Sequence, residues 1–423
     1  MTRITAVALA AMLTLTASRA YATSGFARQT GLSCEACHTV FPELTPFGRK
    51  FKLNGYVFTN TKQLAPAQLA LSEFPPFSIQ LQASHTVLGK GLPDAGTGVT
   101  DTSQRNSTQF PQALSLFYTG KISDRFGAFL QLTWNPSANA IGIDNSELRF
   151  AGHGTLTSGG DFIYGVTLNN NPTSQDVWNS TPAWGYPSMV TNVGVPTETK
   201  VLLDGGLAQQ SVGLGGYLYM FNHLYLEVSG YRSAQTGFTN ATTGGPGPLD
   251  STAPSDRISG VTAPYWRAAW EQDWNNSSLS VGTYGIRATT HQPGVGESGP
   301  TMTRTDTAVD AQYQHIGDDR IATVSGTWIH EANSDATVNT ARVTGSFFYT
   351  RKIGGSVQDF STTGMTGTRG GMFEFDYLPT LNTKIGAQYT AYSRFNGGSQ
   401  NYDGLGRNAS DNNTLLVFLW TAF

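Results

Sequence analysis

Only two cysteines occur among the 423 residues, and they stand close together in Cys34-Glu35-Ala36-Cys37-His38. This C-x-x-C-H spacing is that of covalent c-type haem attachment. Two thiols so placed can form thioethers to the vinyl groups of one haem, and the histidine that follows lies under the iron as its proximal ligand. Cys34, Cys37 and His38 are therefore the candidate cofactor-binding residues, with His38 the axial ligand of the haem iron, and the chain is a candidate for electron transfer. A thioredoxin-like pair or half of a zinc site shares the C-x-x-C core of the motif. Neither agrees with its surroundings, because no second C-x-x-C completes a tetrahedral zinc site and no strand-helix-strand pattern encloses the pair.

The predicted compartment agrees with haem. Residues 1–22 carry a positive charge at Arg3, an apolar stretch from Ile4 to Leu15 and the small-residue ending Ala20-Tyr21-Ala22. They read as a secretory signal peptide cut after Ala22, too short in its apolar part to persist as a spanning helix. Bacterial c-type haem is attached after export, so both features call for the same side of the inner membrane.

Charged residues make up 13% of the chain, against roughly a quarter in ordinary soluble domains. Yet the mean hydropathy is −0.23, and no run of ~20 apolar residues after the signal could cross a bilayer as a helix. A transmembrane β-barrel reconciles these facts, since its strands alternate lipid-facing apolar and lumen-facing polar residues. The net charge of −3 gives no basis for nucleic-acid binding.

Three parts follow: residues 1–22 as signal, 23–76 as a monohaem cytochrome c segment with linker, and 77–423 as a porin-like barrel. In the haem segment, Thr45 and Pro46 read as the N-cap and first residue of a helix stopped by Gly55. Phe47, Phe51 and Asn54 share one face of it, while Arg49 and Lys52 point elsewhere. About fifty residues is too little for an independent core, so haem and barrel wall must supply apolar contact.

From Phe77 the period is two. Phe77, Ile79, Leu81 and Ala83 alternate with Ser78, Gln80, Gln82 and Ser84. Trp266, Ala268 and Trp270 oppose Tyr265, Arg267, Glu271 and Asp273. Short polar turns at 123–125, 221–223, 274–277, 317–319 and near Leu381-Asn382 alternate with longer segments, the longest being 89–110, 170–200, 237–259 and 396–413. Short turns on one side and long loops on the other is the pattern of an outer-membrane barrel, and the candidate strands number about sixteen. The fold class is thus all-β, a transmembrane barrel of antiparallel strands with a small N-terminal α-helical haem segment as a plug.

Arg28-Gln29-Thr30-Gly31, the C-x-x-C-H motif, Pro42, Leu44 and Phe47-Gly48-Arg49-x-Phe51-Lys52-Leu53-Asn54-Gly55-Tyr56 together resemble the haem segment of the fused outer-membrane cytochrome-porin family. That family includes the iron oxidases of iron-oxidising bacteria; Phe26 departs from it, where a small residue is expected. The resemblance implies one c-type haem ahead of a barrel. It also implies electron transfer across the bacterial outer membrane from extracellular Fe(II), or another reduced donor, to a periplasmic cytochrome or cupredoxin. The chain would then be a ferrous-iron-oxidising oxidoreductase. The apolar ending 414–423, closing on Phe423, resembles the terminal strand by which barrel-assembly machinery recognises its substrates.

The haem segment supplies no methionine as distal ligand. The next histidine, His85, has the parity of the outward residues Ile79, Leu81 and Ala83; Asn54, a lysine, another barrel histidine, water or a vacant position stay open. Arg28, Arg49 and Lys52 are candidate partners of the haem propionates, with lumen carboxylates or solvent as the alternative. Phe41, Phe47 and Phe51 are expected to pack on the porphyrin. Asp144, Glu147, Glu271, Asp273, Glu374 and Asp376 have luminal parity and the oxygen donors that iron prefers. His153, His223, His291, His315 and His330 form no spaced metal motif. Two competing functions remain, a haem conduit for a different donor or acceptor and a solute porin whose haem segment is a plug.

Overall fold

The computed structural model describes residues 25–40, 42–58, 76–92, 105–136, 140–181, 189–191, 193–233, 257–259, 262–291, 300–333 and 335–423. The expected signal peptide, Phe41 and the residues just before Pro76 lie outside these.

The period-two sequence folds into strands β1 (Phe77–Leu88), β2 (Asn106–Ser123), β3 (Phe126–Asn135), β4 (Ala140–Ile143), β5 (Glu147–Thr155), β6 (Asp161–Asn169), β7 (Ser211–Met220), β8 (Leu224–Ser233) and β9 (Arg257–Ile258). The remainder are β10 (Ala263–Trp274), β11 (Ser277–His291), β12 (Thr301–Ile316), β13 (Arg320–Asn333), β14 (Thr337–Tyr349), β15 (Ile353–Thr362), β16 (Arg369–Thr380), β17 (Thr383–Arg394) and β18 (Thr414–Ala422). Neighbours pair antiparallel, and β1 closes the sheet on β18 in the register Gln80↔Ala422 to Leu88↔Thr414.

Two wall positions are broken strands. The outer part of β3 pairs β4 and its inner part pairs β5, while β11 pairs β9 at its end and β10 along its length. The eighteen strands therefore make sixteen wall positions in a closed barrel, as expected from the sequence.

The alternation sets the two faces. Ile79, Trp266, Trp270, Val324, Val343, Phe373 and Phe375 lie exposed on the outside, while Gln80, Arg267, Glu271, Thr344 and Glu374 are buried inside. Such an apolar outer band on a closed sheet is the surface of a transmembrane barrel. Among the described residues no helix is long and apolar enough to cross a membrane.

Hairpin chemistry places the short turns at one end. Phe221-Asn222 and Thr350-Arg351 have positive φ at both central positions, the turn type whose twist matches its flanking strands. The 156–160 and 350–352 connections were not among the expected turns. Segment 170–200 was expected as a long external loop. Instead 170–181 and 201–210 fold into the lumen, where Ser174, Gln175, Asp176, Trp178, Leu202 and Leu203 are buried.

The N-terminal segment forms three short helices at the short-turn end, α1 (Gly25–Thr30), α2 (Cys34–Cys37) and α3 (Pro46–Leu53). As the sequence predicts, Thr45 caps α3, its hydroxyl accepting from Gly48 N–H, and Pro46 opens it.

Candidate functional site: the cysteine-histidine segment in the barrel mouth

Cys34 and Cys37 bracket the single turn of α2, both half-buried with free thiols. His38 ends that turn, its backbone N–H donating to Cys34 O at 2.9 Å. The turn is fixed from α3. Thr45 N–H donates to Cys37 O at 2.9 Å, and Thr45 Oγ1 donates to Ala36 O at 2.8 Å. Gly48 permits this approach, since a Cβ there would stand 2.2 Å from Cys37 O. The Phe47-Gly48-Arg49 sequence thus puts a gap in the helix where the cysteine turn must rest.

Between them His38 and Leu44 are joined by an isolated antiparallel bridge. Glu43 Oε2 accepts from Thr39 Oγ1 at 2.5 Å and from Thr323 Oγ1 of β13 at 3.1 Å. The His38 imidazole hydrogen-bonds the backbone at Pro42 and Glu43. Proline has no N–H, so the Pro42 group that acts on the ring is its carbonyl. Burial lowers the His38 pKa to about 4 against those carbonyls, which keeps the ring neutral and its other nitrogen able to ligate. Burial, then the neighbouring Cys34, raises the Cys37 thiol to about 11; burial also raises Cys34. Half-buried free thiols beside a neutral, carbonyl-oriented imidazole could hold a covalent haem.

The segment is held by the wall on several sides. Gln29 Nε2 donates to Tyr56 O at 2.9 Å, and its Oε1 accepts from Lys121 N–H at 2.8 Å. Val40 packs among Ile321, Phe348 and Leu378. Arg351 donates to Thr39 O at 3.2 Å and lies 3.6 Å from Glu35. Phe26 packs on Phe51, Tyr56 and the inward Phe129. Phe51 is buried whereas Phe47 is 44% exposed, though both rings touch Phe58.

Arg49 and Lys52, expected as possible propionate partners, take their alternative partners in the lumen. Arg49 Nε lies 2.7 Å from Glu271 Oε2, and its Nη atoms donate to Gln314 and Ser278 at 2.8 Å and to Leu44 O at 2.9 Å. Lys52 Nζ donates to Ser174 O at 2.6 Å and lies 3.7 Å from Glu147. Burial lowers Lys52 to about 8 although Glu147 opposes that fall.

Segment 170–181 covers the plug from above. Trp178 Nε1 donates at 2.7 Å to Glu271 Oε2, the oxygen that holds Arg49. Asp176 lies 3.3 Å from Arg267, which also reaches Asp310 at 2.9 Å. Farther out, Leu203 N–H donates to Asp306 at 2.9 Å, and Glu331 accepts from Leu202 N–H at 3.2 Å and Arg304 at 2.7 Å. Sequence reasoning missed Arg149 and Arg267 as lumen anchors; their strand parity was the available signal.

The expected oxygen ligands are luminal but engaged. Glu147 binds Arg149 at 2.6 Å and Tyr56 at 2.5 Å, and Glu374 binds Lys384 at 2.9 Å. Asp376 lies 3.7 Å from Lys384, and Asp273 3.8 Å from Lys50. Asp144 accepts from Gln209 at 2.9 Å. Among the described residues no group of three or more His, Cys, Asp or Glu could hold a metal ion.

His85 faces outward, as its parity requires, and bonds Thr108 at 2.7 Å, which removes it as distal ligand. His223 bonds Glu271 O, His315 bonds Ser277 and His330 bonds Asn339, so these three serve the wall.

No protein-family profile and no curated protein matches the chain. Solved structures similar to it include a loop-deletion mutant of OmpT, an outer membrane protein of Vibrio cholerae. That likeness has TM-score 0.46 and 11% identity, covering 82% of this chain and 98% of that one. The outer membrane channel DcaP of Acinetobacter baumannii gives 0.45 and 10%, covering 82% and 96%. The anion-selective porin from Comamonas acidovorans gives 0.44 and 11%, covering 82% and 98%.

Proposed function

We propose that the protein is an electron conduit of the bacterial outer membrane, carrying single electrons from extracellular Fe(II) through a covalent c-type haem to a periplasmic carrier. The observation that carries this reading is the placement of the C-x-x-C-H segment. Its half-buried thiols and oriented histidine are latched by buried ion pairs inside a closed barrel. Cys34 and Cys37 would hold the haem, His38 would ligate its iron, and the haem would supply one-electron transfer when bound.

The chain's own residues do the positioning. Thr45 and Gly48 seat the cysteine turn on α3, the Pro42 carbonyl aims the imidazole, and Arg49 and Lys52 fasten α3 to the wall. Segment 170–181 lies between the plug and the outer lumen, and an electron, unlike a solute, needs no open path past it. Oxidising the metal outside would keep ferric oxide out of the periplasm.

A second reading is a solute channel, favoured by the strand count, because sixteen-stranded barrels can enclose an aqueous lumen. It predicts ion conductance and transport that survives Cys34→Ala.

The deciding experiment adds Fe(II) anaerobically to the purified detergent form while the visible spectrum is followed, with Cys34→Ala as control. A reduced c-type haem spectrum in the wild type alone supports the conduit. Covalent haem that dithionite reduces but Fe(II) does not would sink the iron assignment and leave a conduit for another donor.

A further inference from the structure

Four cations lie in the described part of the N-terminal segment, and three have carboxylate partners. Arg49 pairs with Glu271, Lys50 with Asp273 and Lys52 with Glu147. Arg28, on α1, does not: its Nε is buried with no hydrogen-bond partner among the described residues. Burial lowers its basicity, and no carboxylate among the described residues offsets that. The side chain is half-buried, so the Nε alone has lost its hydration without a protein partner to replace it, and the rest of the guanidinium is left to water or to a ligand.

Its position narrows the role. Phe26 and Gln29, its neighbours on α1, are committed to Phe51, Tyr56 and Lys121, which fixes the helix against plug and wall. Arg28 is six residues before Cys34 in the same short segment. We propose that Arg28, and neither Arg49 nor Lys52, holds a haem propionate by a charge-assisted hydrogen bond from its guanidinium. This rests on the haem reading above. The planar guanidinium can give parallel N–H bonds to a carboxylate, which an ammonium cannot reproduce.

The test uses full-length holoprotein in detergent, comparing wild type, Arg28→Gln and Arg28→Lys. Covalent haem per barrel is measured first, then the haem midpoint potential by spectroelectrochemistry across acidic to neutral pH. Removing a positive charge beside the haem favours its ferric form, so Arg28→Gln should lower the potential. The exposed propionate should then bind a proton at higher pH, moving the pH-dependent step of the potential upward. Arg28→Lys should show a smaller change in the same direction, and is the variant to read if Arg28→Gln assembles without haem. A readable variant whose potential and pH step coincide with the wild type overturns the proposal and leaves the haem reading standing. Wild-type barrel without covalent haem overturns both.

Discussion

At the scale of single residues, the site depends on contacts with little tolerance. Gly48 has the close approach described above, where an added methyl would meet the backbone of Cys37. Backbone cannot rotate away as a long side chain can, so Gly48→Ala should push α3 off the cysteine turn. The expected outcome is loss of covalent haem, seen by haem staining of a denaturing gel, in a barrel that still shows heat-modifiable migration. Arg49 makes the opposite kind of contact. Its guanidinium and Glu271 are both buried, with side chains 2% exposed. Arg49→Met leaves the Glu271 carboxylate without its counter-charge, which costs about 3–5 kcal/mol for a buried pair broken on one side. Thermal unfolding should register that loss, and Arg49→Met combined with Glu271→Gln should cost less than the two changes summed, because no uncompensated charge remains.

Elements show where the sequence was legible. The α3 cap, the outward face of β10 and most short turns follow from local chemistry: Thr45 before Pro46, tryptophans four apart on one parity, and asparagines able to take positive φ. The inward fold of 170–181 was not legible. Its Asn, Ser, Thr and Asp composition suits solvent as well as a polar lumen, and composition cannot distinguish the two. Arg267, Asp310 and Glu271, on distant strands, are among the partners that draw Asp176, Ser180 and Trp178 inside. The outer face of β14 offers a test of the wall itself. Val343 is 56% exposed midway along the strand, so Val343→Arg should destabilise the barrel in bilayers by about 2–4 kcal/mol. A reversible unfolding titration in lipid that shows no such loss would mean this face does not meet hydrocarbon.

For the molecule as a whole, the described lumen holds a plug at the short-turn end, segment 170–181 above it and segment 201–210 beyond. The wild type should therefore conduct ions in planar bilayers far below an open barrel of this strand number. Combining Arg49→Met with Lys52→Met removes two latches between plug, wall and loop, and conductance should rise. Wild-type conductance already at the open-barrel level would favour the solute-channel reading.

What the sequence determined by itself is what short-range chemistry and periodicity encode. The C-x-x-C-H motif carries the expectation of covalent haem in adjacent side chains alone. The alternation gives the strands their two faces because a pleated chain points successive residues opposite ways, and it told correctly that His85 faces outward. Which cations are taken up by lumen carboxylates is not local information. Arg28, Arg49 and Lys52 have like charge and similar reach in the sequence. Tertiary structure separated them, because Arg49 and Lys52 meet carboxylates on β10 and β5, far along the chain, that desolvation obliges them to pair with. The division follows from range: the motif and the alternation act between near neighbours, whereas ion pairing inside the lumen depends on which strands the closed barrel brings together.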